Sequence, residues 1–228
     1  MDETGVLLSL LKELKVLVDV SSLRAYRGAG VKRELITVIE CISGDLRVLP
    51  PLVIWPVSTH RANWVTYSTP GWHYGICETG YTDTGINLYW IKNVFNPAMK
   101  AQTAGLPRLL ISDSFGTHES AELQQFCYKE NIRLARLPSH SSHKLQLCDV
   151  GHFGPLKIYY QEEVEHMYRA GVKMIGKPHF TQLYNRACKL EFTERNIRSG
   201  YRKTGLYPYD PNIVLVTIDR PSSTEEKQ

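Results

Sequence analysis

Carboxylates at the ends of predicted strands are the side chains of this sequence best suited to chemistry. Asp113 closes the short apolar run RLLISD, and Asp149 follows the next apolar run, just before a predicted helix. A third carboxylate, from Asp2 or Glu3, lies in MDETG at the start of the chain. Ligands bind at the carboxyl edge of parallel sheets, so Asp113 and Asp149 are expected to be neighbours. Converging carboxylates would form an oxygen-rich site for Mg²⁺ or Mn²⁺, and two such ions can drive phosphoryl displacement.

Each aspartate also has a simpler interpretation. A strand-end aspartate such as Asp113 commonly caps the turn or helix that follows it, and Asp149 could cap the helix near Phe153. Asp2 alone would be an ordinary terminal residue. Taken by themselves, the positions of these residues leave the metal site and the caps as alternatives.

The stretch PSHSSHKLQLCDVGHFGPLK around Asp149 suggests a different chemistry, because it is rich in residue types that bind zinc. Its candidate ligands are His140, His143, Cys148 and His152. They do not match the usual paired spacings of zinc ligands, and no second pair elsewhere completes them. The pattern therefore favours a loop of polar groups around Asp149 over a zinc centre.

Basic residues recur at helical spacing near the C-terminus, at Arg195, Arg198, Arg202 and Lys203. Such a stripe could contact nucleic-acid phosphates, although a solvated helix face is the commoner explanation. The aromatic segment TPGWHYGICETGYTDTG resembles a base-stacking surface, but packing in a core or loop is the interpretation we favour.

The first half of the chain predicts a hairpin followed by a helix. Residues 34–56 contain two β-branched, apolar runs on either side of Ser43-Gly44-Asp45, a pattern typical of a β-hairpin. Residues 58–105 are irregular and rich in Gly, Pro, Trp and Tyr, and a helix is expected to begin near Asn87.

The region of Asp113 predicts a βαβ unit. A strand over residues 108–113 is followed by a helix that Thr117 could cap and that Asn131 ends, and then by a second strand over residues 132–137. Two strands joined by a helix in this way are expected to run parallel.

Helices are predicted for most of the remaining chain. A long one begins near Phe153, a second covers about residues 180–191, and Thr193 could cap a third. Together with the hairpin and the βαβ unit, they predict an α/β fold with a mixed sheet, antiparallel on one side and parallel on the other, flanked by helices.

Composition narrows the class of protein. The chain has 228 residues, enough for one sizeable domain, and its net charge of +4 permits a polyanionic partner without requiring one. Its five cysteines contain no CxxC pair, which favours reduced thiols in an intracellular protein. We expect no signal peptide and no membrane span, because charged residues interrupt the apolar N-terminal run.

Several of these motifs occur together in one family. ISDSFGTH and NIRLARLPSHSSHKLQLCDVGHFGPLK resemble the catalytic core of pogo/Tigger-type transposases. These are DDE superfamily endonucleases, and their relatives include domesticated DNA-binding proteins such as centromere protein B. MDETG, ELITVIECIS, LPPLVIW and TGLYPYDP extend the resemblance over residues 1–213. Residues 214–228 are expected to form a mostly disordered tail.

The resemblance implies an RNase H-like fold in which Asp2, Asp113 and Asp149 form the catalytic, metal-binding triad. Two Mg²⁺ or Mn²⁺ ions would serve hydrolysis of a DNA phosphodiester or strand transfer. The resemblance also implies DNA as the partner, a nuclear location and assembly into a homo-oligomer, without a membrane or a small-molecule cofactor. The loop around Asp149 would then present this carboxylate and would not bind zinc. His118 and His143 fall where the family carries histidine, with no role assigned.

This sequence departs from the family pattern in several places. Only Met1 precedes Asp2, which predicts a truncated first strand and a fraying Asp2. The helix-turn-helix module that precedes the family's core does not appear, which predicts weak or no end-specific transposition. Ser114 replaces a glycine, and Leu147-Cys148 replaces Pro-Leu. Two functions stay open: an active endonuclease, and an inactive, domesticated or fragmentary DNA-binding remnant. A phosphatase-like use of MDETG is disfavoured, because Thr4 stands where its second acid is needed.

Overall fold

Four strands form one mixed sheet. The computed structural model describes residues 1–8, 34–113, 120–172 and 175–217. The strands lie side by side in the order β1 (Asp2–Leu7), β2 (Leu35–Glu40), β3 (Leu52–Trp55) and β4 (His73–Ile76). Strand β2 is antiparallel to both β1 and β3, and β4 runs parallel to β3.

The predicted hairpin is confirmed as the pair β2–β3, with an additional bridge between Ile42 and Val48 near its turn. Strand β4 was not predicted and lies in the segment of residues 58–105 that was expected to be irregular. In the aromatic segment, Trp72 makes an edge-to-face contact with Tyr184 at 6.0 Å between ring centroids, whereas Tyr81 is 64% exposed. Packing is therefore the correct interpretation for this tryptophan.

The helical region after β4 begins earlier than predicted. Helix α1 spans Thr84–Trp90, and the side chain of Asp83 caps it by accepting a hydrogen bond from the Ile86 amide. A π-helical turn over Ile91–Phe95 joins α1 to α2, which spans Asn96–Thr103. The prediction of a start near Asn87 overlooked the Asp83 cap.

The predicted βαβ unit is confirmed. Strands β5 (Arg108–Ser112) and β6 (Ile132–Arg136) are parallel, and α3 (Ala121–Lys129) lies between them in the chain. Ser120 caps α3 by accepting a hydrogen bond from the Leu123 amide, whereas the predicted cap, Thr117, lies outside the described residues.

The remaining helical elements are α4 (Ser142–Leu145), a π-helical turn over Cys148–His152, α5 (Phe153–Arg169), α6 (Lys177–Glu191), α7 (Glu194–Thr204) and α8 (Asn212–Leu215). Helices α5, α6 and α7 confirm the three that were predicted, whereas α4 and the π-helical turn lie in the stretch expected to be a loop, and α8 was not predicted. Thr193 caps α7 as predicted, by accepting a hydrogen bond from the Asn196 amide.

Alternation along β2 separates two apolar cores. Ile36 and Val38 belong to the core that also contains residues of α5 and α6, such as Leu156. Ile39 belongs to the core that contains Trp90 and residues of β5 and α3. A hydrogen bond from the Met1 amino group to the Ile111 carbonyl oxygen, 2.9 Å long, joins the start of β1 to β5. The two sheets therefore meet beside Asp2.

Candidate active site

Asp2 lies at the first position of β1, opposite Glu40 of β2. Its side chain is buried, with 7% of the residue exposed. One carboxylate oxygen, Oδ1, accepts a hydrogen bond of 2.8 Å from the Glu3 amide, and the buried Oδ2 has no hydrogen-bond partner. The expectation that Asp2 would fray is wrong, because the pairing with β2 and the Met1–Ile111 hydrogen bond hold this end of the strand.

The other two aspartates stand at element ends, as the sequence predicted. Asp113 directly follows β5 and is partly buried. Asp149 lies in the π-helical turn over Cys148–His152, directly before α5, and is exposed. A π-helical turn widens a helix locally and is frequent at functional sites, because it redirects a side chain without ending the helix.

The three carboxylates lie within electrostatic range of one another. Burial raises the pKa of Asp2 to about 7, with further increases from the charges of Asp149 and then Asp113. Partial burial and the charge of Asp113 also raise the pKa of Asp149, while Lys157 opposes that shift. The proximity of like charges disfavours the ionised forms. The structure therefore brings Asp2, Asp113 and Asp149 into one region.

Glu3 forms a fourth acidic group beside this region. Burial raises its pKa, with a smaller increase from Asp113. A cavity of about 260 Å³ is lined by Asp2, Glu3 and Asp113, together with Tyr81 and Thr82 from the loop after β4. The sequence analysis considered Glu3 as an alternative to Asp2. It missed Tyr81 and Thr82, because nothing in their local pattern points to an acidic neighbour.

The residue types suit a hard divalent cation. Among the residues that the structure describes, no group of three His, Cys, Asp or Glu side chains is arranged to hold a metal ion. Mg²⁺, however, is commonly bound by one or two carboxylates and completes its shell with water and substrate phosphate oxygens. The buried Oδ2 of Asp2, which lacks a hydrogen-bond partner, is an oxygen ligand of the required kind. Asp2, Asp113 and Asp149 thus fit Mg²⁺ or Mn²⁺ chemically.

The residues considered for zinc differ in burial. His140 and His143 are exposed, and Cys148 is buried. His152 is fully buried, and its Nδ1 lies 2.8 Å from Oε1 of Glu191, at the C-terminal end of α6. His118 and Ser114, which the family comparison singled out, lie outside the described residues.

The predicted basic stripe lies on one face of α7. Its exposed members line an open groove: Arg195, Arg198, Arg202 and Lys203. Arg198 also pairs with Glu194 at 2.6 Å. The opposite face, which includes Ile197 and Gly200, is buried, and Gly200 meets the π-helical turn that carries Asp149. One helix therefore contacts the Asp149 turn and presents cations to solvent.

The chain thus has a mixed α/β fold in which Asp2, Asp113 and Asp149 lie in one region. The chain matches the DDE superfamily endonuclease family over residues 32–201, and it therefore belongs to that family. The matched range includes Asp113 and Asp149 and begins after Asp2.

The chain also resembles one named protein. It is 32% identical over 188 residues to the "MFS-type transporter clz9" of Cochliobolus lunatus, a match that covers 82% of this chain and 20% of that protein. The chain thus spans about a fifth of the length of that relative. No solved structure matches. Within the described residues, no helix has both the length and the apolar character needed to cross a membrane.

Proposed function

We propose that this chain is the metal-dependent endonuclease core of a pogo/Tigger-type transposase-derived protein, with an RNase H-like fold. The observation that carries the proposal is the clustering of Asp2, Asp113 and Asp149. The pKa of Asp2 is raised mainly by burial, and further by the charges of Asp149 and then Asp113. Keeping like charges together destabilises the metal-free protein, and a divalent cation offsets that repulsion. Family membership supplies the reaction class.

Each carboxylate has a stated role in this proposal. Asp2 offers its unpartnered Oδ2, while Asp113 and Asp149 complete the oxygen-rich site from β5 and the π-helical turn. Mg²⁺ or Mn²⁺ held there would supply activation of water or a DNA 3′-hydroxyl and stabilisation of the leaving oxygen. Because a cation would bind the ionised carboxylate, Asp2 would release on binding the proton that it holds near pH 7.

DNA is the proposed substrate, and α7 is its proposed phosphate contact. The exposed face of α7 presents Arg195, Arg198, Arg202 and Lys203. Each phosphate that such a residue neutralises releases a counterion, so affinity falls steeply with salt. A nuclear location and assembly into a homo-oligomer follow from the transposase class and belong to the same proposal.

Thermal unfolding with and without Mn²⁺ tests the metal site first. A ligand that binds only the folded state raises the melting temperature. We expect Mn²⁺ to raise it for the wild type, more at pH 8 than at pH 6, and not for Asp149→Asn. Asp45→Asn, in the exposed hairpin turn, is the matched control and should respond like the wild type. An equal shift for Asp149→Asn and the wild type would refute the assignment.

Nicking of supercoiled DNA with Mn²⁺ tests catalysis. The double variant Asp113→Ala, Asp149→Ala should lose at least about 100-fold in rate, because metal-site changes of this kind commonly cost 10- to 100-fold even outside the ligand shell. Nicking that persists in the double variant would contradict the proposed triad. End-specific excision is not expected, because recognition of transposon ends requires base contacts from a dedicated module.

The alternative function is a DNA-binding remnant without catalysis. It is favoured by the lack, among the described residues, of three metal-ligand side chains arranged around one point. A remnant would bind DNA with a steep salt dependence and show no Mn²⁺-dependent shift in melting temperature. For either function, a plot of the logarithm of DNA affinity against the logarithm of salt concentration has a negative slope. Arg202→Gln should lower the magnitude of this slope by about one, whereas the exposed control Arg169→Gln on α5 should not change it.

A further inference from the structure

The π-helical turn that carries Asp149 meets α7 through two glycines. A Cβ atom placed on Gly151 would lie 3.0 Å from the Cα of Gly200. A Cβ atom placed on Gly200 would lie 2.7 Å from Nε2 of His152 and 3.0 Å from Cδ1 of Leu147. Contacts this short leave no room for a side chain unless a neighbour moves, so glycine at both positions lets the backbones of α7 and the turn come into direct contact.

A buried pair, His152 and Glu191, links the same turn to α6. Nδ1 of His152 donates a hydrogen bond of 2.8 Å to Oε1 of Glu191, and the two side chains are 0% and 2% exposed. The Glu191 carbonyl oxygen also accepts a hydrogen bond of 2.8 Å from Nδ2 of Asn196 in α7. The end of α6, the start of α7 and the turn are therefore tied together at this one pair.

Stability alone is a weak reason for this arrangement. Removing two ionisable groups from water is costly, and an apolar pair of similar size commonly stabilises a core as well or better. The second nitrogen of His152, Nε2, is also buried without a hydrogen-bond partner, which adds to the cost. The pair restricts the orientation of the turn, because a hydrogen bond of defined geometry allows fewer orientations than apolar packing does.

We propose that His152 and Glu191, together with the Gly151–Gly200 contact, are positioning residues that hold Asp149 in its orientation toward Asp2 and Asp113. The proposal rests on the metal site described under "Proposed function". Substitution of residues that contact and orient a metal ligand, without binding the metal themselves, commonly lowers metal affinity about 10- to 100-fold.

Glycine substitutions provide the mildest test, with a matched control in the same region. Gly200→Ala forces a Cβ against His152, whereas Gly154→Ala, at the start of α5, places its Cβ where no atom lies within 4 Å. We expect Gly200→Ala to weaken Mn²⁺ binding about 10- to 100-fold, measured from the concentration dependence of the melting temperature. Gly154→Ala should bind Mn²⁺ as the wild type does.

The pair itself is tested by graded variants. His152→Ala and Glu191→Ala should weaken Mn²⁺ binding to the same extent as Gly200→Ala. Glu191→Gln should restore most of the affinity, because its amide oxygen still accepts the hydrogen bond from Nδ1. In the metal-free protein, hydrogen exchange at the backbone amides of residues 149–153 should quicken in His152→Ala and remain unchanged in Gly154→Ala. A general loss of stability would not produce this local pattern.

The outcomes separate the two proposals. Wild-type Mn²⁺ affinity in folded His152→Ala, or unchanged exchange at residues 149–153, would overturn the positioning role. If Asp149→Asn binds Mn²⁺ as tightly as the wild type, the metal site itself fails, whatever the His152 variants do. If His152→Ala does not unfold cooperatively, the comparison of Gly200→Ala with Gly154→Ala decides, and equal affinities in that pair would contradict the proposal.

Discussion

Asp2 and Asp149 reach the same region from two kinds of structure. Asp2 lies in a strand whose backbone is paired with β2, and only 7% of it is exposed. Asp149 is itself exposed and lies on a helical turn that is held by the buried pair of His152 with Glu191 and by contact with α7. Backbone hydrogen bonds position the first carboxylate, and side-chain packing positions the second.

Because of this difference, the positions of Asp2 and Asp149 should respond differently to substitution of neighbouring residues. A strand ladder depends on backbone groups, which most substitutions leave intact. A packed turn depends on the shape of its neighbours, and close-packed interiors transmit even small changes in volume. Substitutions of residues packed against the Asp149 turn should therefore disturb the site more than equally buried substitutions in the sheet near Asp2.

The largest expected effect comes from removing the carboxylates themselves. Asp2→Asn and Asp149→Asn should each lower Mn²⁺-dependent nicking by at least about 100-fold. Without metal, only Asp2→Asn should raise the free energy of unfolding appreciably at pH 8, because it removes a buried charge beside two others. Urea unfolding measures that change. Equal stabilisation by the two variants would mean that burial does not distinguish these sites.

The parts of this fold that the sequence predicted are those with local signals. The β2–β3 hairpin was predicted from two β-branched runs around a turn, and α5 to α7 from periodicity and the Thr193 cap. Strand β4 was missed because its glycine and aromatic residues carry no alternation, and only its parallel pairing with β3 makes it a strand. The start of α1 was missed because the Asp83 cap was overlooked.

In the candidate site, too, the residues with local sequence signals could be predicted and the others could not. Asp113 stands at the end of β5, as the βαβ pattern predicts, whereas Asp149 lies beyond the end of β6 in the π-helical turn, which no local pattern indicated. The burial of Asp2 could not be predicted, since it depends on the contact between Met1 and Ile111, which lie at distant positions in the sequence. The partner of His152 was equally hidden, because only the folded chain brings α6 to the turn.

Two core truncations separate the helix side from the sheet side. Leu156 of α5 and Ile36 of β2 are both 0% exposed, and truncation of either to alanine should cost about 2–5 kcal/mol of stability. Leu156→Ala should also weaken Mn²⁺ binding, because α5 continues directly from the Asp149 turn, whereas Ile36→Ala should not. The control Ile158→Ala, on the exposed side of α5, should change neither quantity. Equal Mn²⁺ affinities for Leu156→Ala and Ile36→Ala would remove the proposed contrast.

Glu40, which is opposite Asp2 in the sheet, predicts a pH dependence of stability. Burial raises its pKa to about 8, even though Tyr184 donates a hydrogen bond of 2.8 Å to it. The folded protein therefore holds a proton between pH 4.5 and 8 that the unfolded chain releases. Stability from this group is full below pH 4.5 and is lost as the pH rises toward 8, by a few kcal/mol at most.

Glu40→Gln isolates this contribution. The amide cannot ionise, and its oxygen still accepts the Tyr184 hydrogen bond. Urea unfolding between pH 5 and pH 8 should therefore show a smaller decline in stability for the variant than for the wild type. If the two profiles are parallel, Glu40 is ionised in the folded protein throughout this range, and the sheet side of the site is more polar than its burial suggests.

The smallest expected effect tests whether α7 acts on Asp149 through the glycine contact alone. The hydroxyl of Tyr201 in α7 donates a buried hydrogen bond of 2.9 Å to the Ile42 carbonyl oxygen, which fastens the helix to the hairpin. Tyr201→Phe should lower stability by about 0.5–1.5 kcal/mol and leave Mn²⁺ affinity unchanged. The exposed Tyr207→Phe is the control. Weaker Mn²⁺ binding in Tyr201→Phe would show that the whole of α7, and not only Gly200, holds the Asp149 turn in place.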